Sequence, residues 1–68
     1  MSAYKIIEVV GTSSKSWEAA TEAAVASASG SLRNLRVAEV VKMDVTIGKK
    51  GKIQEYRVRV ALSFKYEG

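Results

Sequence analysis

A chain of 68 residues without Cys, His or Pro carries 11 basic and 7 acidic side chains, for a formal charge of +4. The missing Cys and His exclude disulfides, thiolate or imidazole metal sites, and the nucleophile–base pairs built on those side chains. At 7.4 kDa the chain has room for one domain, residues 1–68; a chain this short buries only roughly 60% of its unfolded surface, which leaves association with copies of itself as the route to a sufficient core.

Tyr4 to Val10 is rich in β-branched residues and reads as a strand. Gly11-Thr12-Ser13-Ser14 is expected to end it, with Thr12, Ser13 or Ser14 capping the helix that follows. Trp17 through Leu32 carries helical periodicity: Trp17, Thr21, Ala24, Ala28 and Leu32 share a stripe, with Ala20 and Val25 beside it. Glu18 and Glu22 lie near the helix N-terminus, where the dipole favours them. A stripe made mostly of Ala lets the helix lie close to a sheet but brings little apolar volume. Gly30 or Asn34 is expected to stop it.

Leu35 to Ile47 reads as a long second strand, and Gly48-Lys49-Lys50-Gly51-Lys52 as a turn with two Gly available for positive φ. Ile53 to Tyr66 alternates cleanly. Tyr56, Val58, Val60, Leu62, Phe64 and Tyr66 form the face expected to meet the helix, and Arg57, Arg59, Ala61, Ser63 and Lys65 form the other. The fold class is α+β, in the order β-α-β-β.

Two strands of this length make a ribbon roughly 40 Å long, and a helix near 24 Å long cannot cover it. Part of the ribbon must be bare or covered by another subunit. Strand register decides what lies on each face. Pairing Asp44 with Arg57 sends Val37, Glu39, Val41, Met43, Val45 and Ile47 toward the helix. Pairing Met43 with Arg57 sends them to the far face, and a bulge would give both locally.

Catalytic constellations are absent, and the chain is not expected to be an enzyme. Ser13 or Ser14 with Lys15 sits at a helix start, where capping outweighs a Ser–Lys pair. The Gly/Lys turn joins two strands, whereas a phosphate loop opens a helix. Glu8, Glu39, Asp44 and Glu55 offer oxygen to a hard cation such as calcium but follow no recognised spacing. Trp17 is expected in the core or at a subunit contact. The pI near 9.6 admits a polyanion, so a basic nucleic-acid-binding module is a third reading. The polar face of the third strand, with Arg57, Arg59 and Lys65, lacks the interleaved aromatics that single-strand binders use as stacking platforms, which argues against that partner. No window approaches the ~20 apolar residues of a membrane span, Met1 to Lys5 does not resemble a secretory leader, and the chain reads as cytoplasmic.

The opening Tyr4-Lys5-Ile6-Ile7-Glu8-Val9-Val10-Gly11-Thr12-Ser13, the Ala-rich helix, Asn34-Leu35-Arg36-Val37-Ala38-Glu39-Val40 and the ending Tyr56-Arg57-Val58-Arg59-Val60-Ala61-Leu62-Ser63-Phe64 together resemble the dodecins. That resemblance implies a three-stranded antiparallel sheet partly wrapped around one helix, assembled as a hollow homododecamer. It also implies binding and storage of flavin, FMN or riboflavin, in pairs at subunit interfaces. Dodecins stack a tryptophan on the isoalloxazine ring and hydrogen-bond its polar edge with a glutamine. Here Val37 and Arg57 stand at those two positions, as in the subgroup that lacks the stacking tryptophan and for which calcium has been proposed. The ligand site is expected around Val37, Met43, Val45 and Arg57, holding flavin weakly or a different ligand, with Arg57 and Arg59 favouring an anion. The alternatives are a calcium-binding or structural homododecamer, and a site in which Arg57 simply pairs with a carboxylate.

Overall fold

The computed structural model describes residues 2–30 and 32–65. Strand β1 (Tyr4–Ser13), helix α1 (Trp17–Ser29), strand β2 (Leu35–Ile47) and strand β3 (Ile53–Lys65) follow in the expected β-α-β-β order. They form one antiparallel sheet in the order β1-β3-β2. β3 is the central strand, and its alternation reflects burial of one face. Its inward residues Val58, Val60 and Leu62 are fully buried, and they meet Ala20, Ala24 and Ala28 of α1. Ile7, Val9, Val25, Leu32 and Leu35 pack around this core. Tyr66 lies outside the described residues.

The ends of β1 and α1 differ from those expected, and one glycine explains the first difference. β1 runs through Gly11 to Ser13, because Gly11 pairs with Val58 under the helix. A Cβ at Gly11 would collide with the Ala20 carbonyl oxygen and stand 2.9 Å from the Ala24 Cβ. The glycine therefore permits close helix–sheet approach instead of ending the strand. Ser16 is the N-cap, its Oγ accepting from the Ala19 N–H at 3.0 Å, while Ser13 Oγ accepts from the Lys15 N–H. The helix stops at Ser29, and Leu32 reaches the core from the connecting segment. Gly30 has ordinary right-handed angles, and the left-handed residue is Asn34, with φ 61. In the hairpin turn the positive φ values fall on Lys50 and Gly51, and Gly48 stays extended.

Register in the β2–β3 ribbon combines both expected solutions. Asp44 faces Arg57, which places Met43 opposite Val58 and Val45 opposite Tyr56, on the helix side. A bulge at Val41 then shifts the phase. Val40 and Ala38 pair with Val60 and Leu62, whereas Val37 and Glu39 turn to the far face opposite Ser63 and Ala61.

The molecule measures 53 × 19 × 14 Å. A 13-residue helix spans only about 20 Å of this, so the hairpin end of the ribbon is uncovered. Ile47 is 69% exposed and Ile53 55%.

Candidate functional site

On the sheet face away from α1, the registers of β1 and β2 against β3 stack side chains in rows. Ile6, Ser63 and Val37 form the first, and Glu8, Ala61 and Glu39 the second. Val10, Arg59 and Lys42 form the third, and Thr12, Arg57 and Asp44 the fourth.

The four expected ligand residues do not converge within one subunit. Val37 and Arg57 share the far face but stand opposite and at positions six residues apart on β3, roughly 20 Å along the strand. Met43 and Val45 lie on the helix side. The bulge at Val41 is the physical reason: it puts the two halves of β2 out of phase.

Arg57 is occupied by its cross-strand neighbour. Its Nε donates to Asp44 Oδ1 at 2.8 Å and its Nη2 to Oδ2 at 3.2 Å, the two-pronged geometry that suits a guanidinium and a carboxylate. That hydrogen bond holds the Asp44 carboxyl below its ordinary value, against some desolvation, and the charges of Arg57, Lys42 and Arg59 add to it. The same bond, with the Asp44 charge, raises the already high Arg57 value. Arg59 has a looser partner, with Nη1 3.9 Å from Glu8 Oε1 and both side chains about half exposed.

Directly behind this pair, α1 is fastened to the sheet. Trp17 Nε1 donates to the Asp44 backbone oxygen at 3.2 Å, and the indole meets the Tyr56 ring edge-on at 5.1 Å. Trp17 is thus an intrachain helix-to-sheet contact.

Val10, Lys42, Asp44, Arg57 and Arg59 surround a hollow of about 140 Å³ on the far face. Sequence reasoning missed Lys42 and Val10 here, because only the bulge brings Lys42 level with Arg59. No group of three or more acidic side chains gathers among the described residues. Glu8 and Glu39 flank Ala61, Asp44 is engaged by Arg57, and Glu55 stands opposite Thr46. The far face does not fit a stacked isoalloxazine: Val37 offers no π surface, and Arg57 is a donor-only group already committed to Asp44.

The Dodecin family model matches residues 3–67. The chain belongs to the dodecin family. It is 45% identical over 65 residues to the calcium dodecin of Mycobacterium tuberculosis, covering 96% of this chain and 90% of the relative. It is 44% identical over 64 residues to the dodecin of Thermus thermophilus, covering 94% and 91%. The dodecin structure from Streptomyces coelicolor superposes with a TM-score of 0.92 at 34% identity, covering 98% of this chain and 94% of that one. The three-stranded antiparallel sheet around one helix is therefore the dodecin fold. No described helix is long and apolar enough to cross a membrane.

Proposed function

We propose that this dodecin-family chain is a non-catalytic subunit of a hollow, cytoplasmic homododecamer that binds and stores a small ligand at its subunit interfaces. The uncovered end of the β2–β3 ribbon carries the assembly part of this reading. Residues such as Ile47 and Ile53 are too apolar and too exposed to be left bare in a stable small protein, and a second copy would cover them. The ligand-binding part follows from family membership. Flavin, as FMN or riboflavin, is the ligand class the resemblance implies. Val37 and the committed Arg57 argue that this chain holds flavin weakly or holds another ligand instead.

Calcium is the second reading. It is favoured by the 45% identity to a relative named calcium dodecin and by Glu8 and Glu39, which flank the small side chain of Ala61 on one row. Calcium takes six to eight oxygens, so a complete donor set would require a neighbouring copy.

Native mass spectrometry of the gently purified protein tests assembly and cargo together. A homododecamer carrying flavin mass supports the flavin reading and overturns the argument from Val37 and Arg57. A homododecamer without flavin, whose melting temperature rises with added calcium, supports the calcium reading. A monomer or dimer sinks the shell.

A further inference from the structure

We propose that the hollow between Lys42 and Arg59 is a site for a compact dianion, the phosphate monoester group of a ligand. This deepens the storage reading, and it rests on the far face being the ligand face.

Three cationic side chains and one carboxylate line the hollow. Arg57 and Asp44 satisfy one another in two parallel hydrogen bonds. Anion binding therefore falls to Lys42 and Arg59, which stand on neighbouring strands in one row with Val10, and not to Arg57. Among the described residues Lys42 forms no ion pair. Arg59 is held only by the Glu8 contact at 3.9 Å, and a half-exposed pair at that distance is weak and screened by salt.

The two cations complement each other. The Arg59 guanidinium is a planar fork that matches two phosphate oxygens, and the Lys42 ammonium is a point charge. Val10 forms an apolar wall on the β1 side of the hollow. A hollow of about 140 Å³ takes a compact charged group and not a three-ring aromatic system. The Asp44 carboxylate, at the edge of the same hollow, opposes the anion. The same ion pair that blocks the glutamine-like role of Arg57 thus sets the strength of the proposed site.

The test is calorimetric titration of the purified, assembled protein with inorganic phosphate, at constant ionic strength held with sodium chloride. Saturable binding is expected. Lys42→Gln and Arg59→Gln should each weaken it about tenfold, and Asp44→Asn should strengthen it several-fold by freeing Arg57. Lys49→Gln, with the same charge change at the hairpin turn, should leave it unaltered. All four positions are exposed, and matching melting curves establish that the variants fold. Absence of saturable binding, or equal weakening by Lys49→Gln and Lys42→Gln, overturns the site. A homododecamer that ignores phosphate defeats this inference alone. A monomer that binds phosphate through Lys42 and Arg59 defeats the shell alone.

Discussion

The indole of Trp17 reaches across 27 positions of sequence to donate its N–H to the backbone carbonyl of Asp44, at 3.2 Å. This bond and the edge-on contact with Tyr56 fix the start of α1 to the β2–β3 ribbon, beyond the reach of the alanine stripe.

Trp17→Phe keeps an aromatic ring but removes the donor. A hydrogen bond of this kind contributes about 1 kcal/mol, and an altered edge contact a further fraction. Urea denaturation should show a loss of about 1–2 kcal/mol with an unchanged slope. A loss below a few tenths would mean that the helix start is held by its Ser16 cap alone.

Gly11→Ala should be the most damaging single-methyl change in the chain. The added carbon meets the Ala20 carbonyl and the Ala24 methyl group, and both are backbone-fixed. Overpacking a tight contact typically costs about 1–3 kcal/mol, and a backbone clash falls at or above the upper end. Thermal unfolding monitored by circular dichroism should show a melting temperature lowered by many degrees, or no cooperative transition.

Stability should depend on acid through Asp44. The folded protein holds this carboxyl below its ordinary value, so its contribution is fully present above the unfolded value near 4. It is lost as pH falls through the lower folded value. Melting temperatures of the parent and Asp44→Asn should differ at pH 6 and converge toward pH 2. A constant difference across that range would contradict the ion pair. Both partners are exposed, so the difference should be small.

Restoring the family residues should restore the family ligand. The double variant Val37→Trp, Arg57→Gln supplies a stacking ring and an acceptor, and it releases Asp44. Riboflavin fluorescence quenching should show affinity at least about fivefold above the parent, since a recovered aromatic stack alone contributes on the order of 1 kcal/mol. Parent protein that already quenches riboflavin as strongly would show that Val37 and Arg57 do not set flavin affinity.

Much of this molecule is legible in its sequence. The span of β2 and the inward face of β3 follow from β-branched content and alternation, because burial on one side imposes period two. Gly11 misleads, since glycine marks both strand ends and close approaches, and only the tertiary position of Ala20 and Ala24 distinguishes them. The bulge also lacks a distinctive signal. Val40 and Val41 are adjacent apolar residues, and either could have been the one facing inward. The expected site residues were consequently drawn from a single parity of β2, when Val37 and Met43 answer to different faces. Lys42 went unnoticed for the same reason.

The extra residue at Val41 has a consequence for comparing relatives. Along β2, Val37 and Glu39 before the bulge present their chemistry to one surface, and Met43 and Val45 after it to the opposite surface. A homologue that lost this extra residue would keep every other β2 residue on its present face, because Val40 and Lys42 already pair with the adjacent β3 residues Val60 and Arg59. Comparison by residue count alone would then assign half of the strand to the wrong face. Transfer of ligand-contacting positions from one relative to another is sound only on each side of this point separately.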